Sequence, residues 1–220
     1  GKKLSNEMKK LLPDSKVIVV LRDPVQRLFS FYKYKLSLGH IPSNLSFESY
    51  LDKCKSMPLD EKIKKKNYDY WGMEGGLYAN LLETWNSTYG DNLKVCFFDD
   101  LVSDKNNFTS DICDWLNLNF NEIDSKKMVI ENKSMLYRSK ALQKFAISFD
   151  RSLEGLWNFM PFIKKPFSFF YNLFNSKPHN AVLNKSSKKE LEEFYAKDIE
   201  KTRLFLEQKQ ISKFPEWMKV

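Results

Sequence analysis

The segment that most restricts the fold is Lys16-Val17-Ile18-Val19-Val20-Leu21, followed at once by Arg22-Asp23-Pro24. A short β-branched run, apolar at every successive position, predicts a parallel strand buried on both faces. Asp23 predicts a helix N-cap, with Pro24 at the first helical position, where its missing N–H costs nothing. The helix is expected over roughly 24–38, with Leu28, Phe31, Tyr32 and Lys35 at three-and-four spacing and Gly39 as its stop.

The same patterns recur downstream. Helices are expected over 47–54 and over 76–89, where Leu77, Leu81, Leu82 and Trp85 form one stripe. A second buried strand is expected over 93–98, then a turn over 99–103, then a helix carrying Phe108, Ile112, Trp115 and Leu116. Further helices are expected over 139–149 and 186–207. Strand, helices, strand, helix is the βαβ pattern of an open α/β sheet, here with a strongly helical C-terminal half. The 220 residues suit a single domain, 1–220, although two strands are few for such a sheet.

Composition narrows the partners. The net charge of +8 comes from 36 basic residues, of which only Arg22, Arg27, Arg138, Arg151 and Arg203 are arginine. Base readers rely on the bidentate guanidinium, so a nucleic-acid partner is not expected. The lysine cluster Lys62, Lys64, Lys65 and Lys66 reads as a solvated face, and the net field suits an anionic small molecule. Cys54, Cys96 and Cys113 are odd in number and form no C-x-x-C pair or Cys/His cluster, so no metal site is expected and buried thiols in a reducing, cytoplasmic setting are. The longest strictly apolar run, 17–21, is far short of a membrane span, and Gly1-Lys2-Lys3-Leu4 lacks the apolar core of a signal peptide.

The chemistry concentrates at 20–32. A strand delivers Arg22 at its carboxyl end, where α/β sheets place ligands. The helix that follows offers free N–H groups that attract a phosphate. Arg22 grips a phosphate through two nitrogens, and Ser30 adds a hydroxyl donor. A bland alternative stands beside this: Arg22 pairs with Asp99 or Asp100 at the end of the neighbouring strand.

Val20-Leu21-Arg22-Asp23-Pro24, then Arg27 and Ser30, resembles the 3′-phosphate-binding motif of sulfotransferases that use 3′-phosphoadenosine 5′-phosphosulfate (PAPS). Further segments resemble that family in order: Gly76-Leu77-Tyr78 through Trp85, Val95 to Leu101, Ile112 to Leu118, Asn132-Lys133-Ser134 through Arg138-Ser139, Glu193 to Ile199, and Trp217. The later ones resemble bacterial members related to the heparan-type enzymes. The resemblance implies a P-loop NTPase-like parallel sheet flanked by helices. It implies PAPS, or its product 3′-phosphoadenosine 5′-phosphate (PAP), as the nucleotide, and a hydroxyl or amine acceptor. Arg22 and Ser30 match the two positions that hold the 3′-phosphate; Arg27 matches the intervening arginine and reads as structural. Arg138 stands between reaching the nucleotide and a helix-surface ion pair. Tyr78 stands between facing the acceptor substrate and core packing.

The family's 5′-phosphate loop, with its lysine, and its catalytic base lie upstream of the Arg/Ser motif. No such loop precedes residue 16, and His40 and His179 come too late to inherit the base. The expectation is therefore a C-terminal portion of the full fold, missing its first strand, with the catalytic residue upstream of residue 1 and no turnover alone. An exposed sheet edge then invites a homodimer. The alternative is a non-catalytic nucleotide-binding or membrane-surface module that keeps the fold. Residues 145–174 hold eight of the eighteen Phe with Lys164-Lys165-Pro166 among them; packing of these aromatics onto the domain is favoured over a membrane interface.

Overall fold

The computed structural model describes residues 1–123, 136–153, 155, 171, 173–177 and 181–219. They pack as two compact units. The first gathers 1–27, 73–131 and 185–220; the second gathers 28–72 and 132–184.

The first unit is built on a parallel pair. Strand β1 (Val17–Leu21) lies beside β2 (Leu93–Phe97), with Val17 opposite Leu93 and Leu21 opposite Phe97. Both carry β-branched or aromatic side chains that suit a pleated surface. Leu21, Cys96 and Phe97 are buried, while Ile18 and Val20 are exposed. Burial of β1 on both faces is thus corrected: among the described residues one face is covered and the other is open. Helices flank the pair along the chain: α1 (Lys2–Leu11) ahead of it, α5 (Ala79–Tyr89) leading into β2, and α6 (Phe98–Ser103) and α7 (Lys105–Leu116) after it. Segment 99–103, expected as a turn, is helical, and α7 starts afresh because the Asp104 carboxylate accepts from the N–H of Asn106 and Asn107. The long closing helix α9 (Lys185–Gln208) buries Leu191, Tyr195, Ile199, Thr202 and Leu206 at three-and-four spacing. Helix α1 was not anticipated from the sequence; it docks by Ser5, whose Oγ lies 3.1 Å from the Thr88 hydroxyl of α5.

Helix α2 (Pro24–Ser37) begins in the first unit and continues into the second. In the second unit, Phe29, Tyr32, Phe47 and Tyr50 form an aromatic core with ring centroids 5.0–6.4 Å apart. The tyrosines remain satisfied in burial: Tyr32 donates to Leu45 O at 2.6 Å and Tyr50 to Asp69 O at 2.8 Å. Helix α3 (Phe47–Ser56) is capped by Ser46, and the short α4 (Leu59–Lys62) follows. Gly72 closes the segment where a Cβ would fall 2.6 Å from the Tyr50 hydroxyl and 2.7 Å from Leu28. Lys62 is buried and Ile63 exposed, so the lysine cluster read as a solvated face is corrected at its first member. A two-residue antiparallel pair, β3 (Leu136–Tyr137) with β4 (Ser176–Lys177), and helix α8 (Lys140–Ser152) complete this unit.

The class is α/β, mostly helical around a small parallel sheet. Cys54, Cys96 and Cys113 are all buried and unbridged. Among the described residues no helix is long and apolar enough to cross a membrane, and no group of three His, Cys, Asp or Glu is placed to hold a metal.

Candidate functional site

Arg22 leaves the carboxyl end of β1 half-buried in the first unit. Its guanidinium lies over the Phe98 ring, 4.6 Å from the centroid, and makes no ion pair among the described residues. Of the two carboxylates that the sequence offered as partners, neither pairs with Arg22 among the described residues. Asp99 accepts from the Trp217 indole N–H at 3.1 Å. Asp100 contributes its backbone oxygen to the end of α6. A cation resting on an aromatic face keeps its in-plane N–H donors available for an anion.

The start of α2 differs from the expected phosphate trap. Pro24 has no N–H, the Asp23 carboxylate accepts from Val25 N at 2.8 Å and Gln26 N at 3.4 Å, and Arg27 N bonds Asp23 O at 2.8 Å. The four groups that would greet a phosphate are absent or already used. Any anion bound here is held by side chains, not by the helix terminus.

Tyr78 sets the position of Arg22. It is buried, and its hydroxyl donates to the Arg22 carbonyl at 2.8 Å. Its ring lies 6.5 Å from that of Trp217. Its own backbone is fixed from α9: Tyr78 N and Ala79 N donate to the Asp198 carboxylate at 2.6 and 3.3 Å, an N-cap for α5 supplied from 120 residues away. Tyr195, also on α9, is fully buried and donates to Met73 O at 2.8 Å. Between these anchors, the turn at Glu74–Gly76 passes so close to Tyr195 and Pro24 that a side chain is excluded at Gly76. A Cβ on Gly76 would meet Tyr195 Cε1 at 2.8 Å and Pro24 Cβ at 3.0 Å, and one on Gly75 would fall on the Arg27 guanidinium. Asp198 and Tyr195 are the supporting residues that sequence reasoning missed; their segment, Glu193 to Ile199, was visible, but the groups it holds were not.

Arg22, Arg27 and Tyr78 thus come together in the first unit. Ser30 and Arg138 lie in the second. Ser30 is half-buried on α2, with no hydrogen bond among the described residues. Arg138 is exposed just after β3, its N–H bonded to Asn175 O at 2.7 Å, and it forms no ion pair among the described residues. His40 is held through Nδ1 by Asp69 at 3.1 Å, and Asp69 also pairs with Lys35 at 2.7 Å. His179, and Asn132 to Ser134 of the resembling segments, lie outside the described residues.

Burial pushes the Tyr78 phenol up to about 12, the nearby Arg27 charge pulling partly the other way. Burial likewise pushes the Cys96 thiol up to about 11. In both cases the unfolded chain loses the proton first, so the stability is intact below the unfolded pKa and drains as pH rises through the folded one. For Tyr78 that window runs from 10.0 to about 12, with up to roughly 3 kcal/mol at stake. Denaturant melts of the parent and of Tyr78→Phe are expected to converge across this window, because only the parent loses the phenol's contribution. Parallel curves would show that the phenol is not held in this way.

Residues 4–122 match the sulfotransferase family. With more than half of its length inside that match, the chain belongs to the sulfotransferase family, a family of transferases. Among solved structures it is similar to a sulfotransferase from Alicyclobacillus acidocaldarius, at 22% identity and a TM-score of 0.49. That likeness covers 71% of this chain and 58% of the other, so the chain spans a little over half the length of the structure it matches. No curated protein matches it.

Proposed function

We propose that this chain binds PAPS by its 3′-phosphate and serves the transfer of the sulfuryl group to a hydroxyl or amine acceptor. The observation that carries the reading is Arg22: a half-buried guanidinium at the end of a parallel strand, laid on Phe98, with no carboxylate on it among the described residues. A buried-edge cation without a counter-charge is costly unless an anion completes it. The side chains fit such an anion. Arg22 offers two parallel N–H donors for a dianionic phosphate, and Ser30, the motif's second residue, has a hydroxyl that makes no hydrogen bond among the described residues. Tyr78 is a positioning residue, holding the Arg22 backbone through its carbonyl. Arg27, against Gly75, and Arg138 are the secondary candidates for the nucleotide. PAPS would supply an activated sulfuryl group whose leaving group is a 5′-phosphate; the residues named here recognise the other phosphate, and so select the nucleotide.

The test is calorimetric titration of the full chain with PAP and with 5′-AMP. The two ligands differ by the 3′-phosphate, and PAP is expected to bind about a hundredfold more tightly. Equal affinities would overturn the assignment.

A further inference from the structure

We infer that the face of α8 together with Leu173 and Phe174 docks on the surface of an anionic lipid bilayer. In α8, Leu142, Phe145 and Phe149 recur at three- and four-residue spacing on one stripe. On that stripe Leu142 is 51% and Phe145 66% exposed, while Phe149 is half-buried with its ring stacked on that of Phe145 at 5.8 Å. Leu173 and Phe174 are 58% and 67% exposed. The favoured expectation, that these aromatics pack onto the domain, is thus not met at Phe145 and Phe174; 156–170 lie outside the described residues.

The two apolar pieces share one rigid anchor. Asn175, 1% exposed, accepts from Ser139 N at 2.7 Å, donates to Ser139 O at 3.2 Å, and gives its own carbonyl to Arg138 N at 2.7 Å. It also donates to the Tyr171 hydroxyl at 2.9 Å. The start of α8 is therefore tied to the residue that follows Leu173-Phe174, and the exposed side chains are presented from a fixed base. A buried asparagine satisfied on this many sides is not found at a frayed end.

Charge selects the occupant. Residues 132–184 contain eight Lys and Arg against two Asp and Glu, so this stretch carries +6 of the chain's +8. Arg138, Lys144 and Lys177 are exposed around the same anchor. A second copy docking face to face would set these cations against their own kind, whereas anionic headgroups neutralise them while the acyl boundary takes the phenyl rings. Helix α8 has 13 residues, enough to lie in the interface and too few to span it.

The experiment is flotation of the full chain with vesicles of pure phosphatidylcholine and of phosphatidylcholine with about one-third phosphatidylglycerol, at about 0.1 M and about 0.5 M salt. The expected result is recovery with the anionic vesicles at low salt. That recovery falls about tenfold in Phe145→Ser/Phe174→Ser and also in the higher salt. Circular dichroism of the variant checks its fold. Should it be unfolded, Lys144→Glu/Lys177→Glu, which alters only exposed charge, is read in its place and is expected to lose flotation. The inference is overturned if the parent stays at the bottom of the gradient with anionic vesicles, floats equally well with the neutral ones, or floats unchanged in the folded variant. It is overturned too if the patch instead drives a concentration-dependent dimer without flotation.

Discussion

Arg22→Ala is expected to weaken PAP binding by about a hundredfold while leaving 5′-AMP binding within a factor of a few. A charge-assisted hydrogen bond contributes about 1.5–3 kcal/mol, and two made by one guanidinium fork give the hundredfold at roughly 3 kcal/mol. The structure makes the substitution clean. Arg22 has no ion pair to break among the described residues, and the Tyr78 hydrogen bond is to its backbone, which alanine keeps. The thermal midpoint should therefore move little. Arg22→Lys retains the charge without the fork and is expected to recover only part of the affinity. An Arg22→Ala protein that still prefers PAP to 5′-AMP would remove Arg22 from the site.

Tyr195→Ala is expected to destabilise the first unit by about 3–5 kcal/mol, a large share of the 5–15 kcal/mol that a domain of this kind possesses. Tyr195 is fully exposed to that loss because it is fully enclosed. Its ring lies against the position where Gly76 has no Cβ, and its hydroxyl holds Met73 O. Truncation leaves a ring-sized cavity beneath the Glu74–Gly76 turn and an unsatisfied carbonyl. Tyr195→Phe keeps the packing and should cost about 1 kcal/mol. The same connection predicts a functional readout. From Tyr195 and Asp198 the support passes to Met73 and Tyr78, and from Tyr78 to the Arg22 carbonyl. Tyr195→Phe is therefore expected to loosen PAP binding several-fold with its fold retained. Urea melts and titrations of the two variants decide this; a Tyr195→Ala protein as stable as the parent would show that the latch carries no load.

The two predictions draw on different kinds of information. Arg22 was legible because its context is local: an apolar β-branched run forms a strand, Asp23-Pro24 starts a helix, and the residue between them stands at the strand's carboxyl end wherever the chain folds. The helices were legible for the same reason, since Leu191, Tyr195, Ile199 and Leu206 repeat with the helical period whatever covers them. The turn expected over 99–103 failed because a six-residue helix has too few positions to display a period.

What surrounds Arg22 was decided only in three dimensions. The sequence placed Asp99 and Asp100 within reach; packing awarded Asp99 to Trp217, 118 residues away, and left the guanidinium on Phe98. It showed a helix start attractive to phosphate; the Asp23 side chain uses those N–H groups itself. It left Tyr78 between substrate and core; the structure buries it and bonds its hydroxyl to the Arg22 carbonyl. It read β1 as buried on both faces, yet Ile18 and Val20 are exposed, because apolar composition records what a strand is able to bury and not what arrives to cover it. Local propensity acts over a few residues and is written in the sequence. The partner of a charge, a carbonyl or an apolar face is chosen by whichever distant group folding brings within 3 Å, and that choice belongs to the tertiary structure alone.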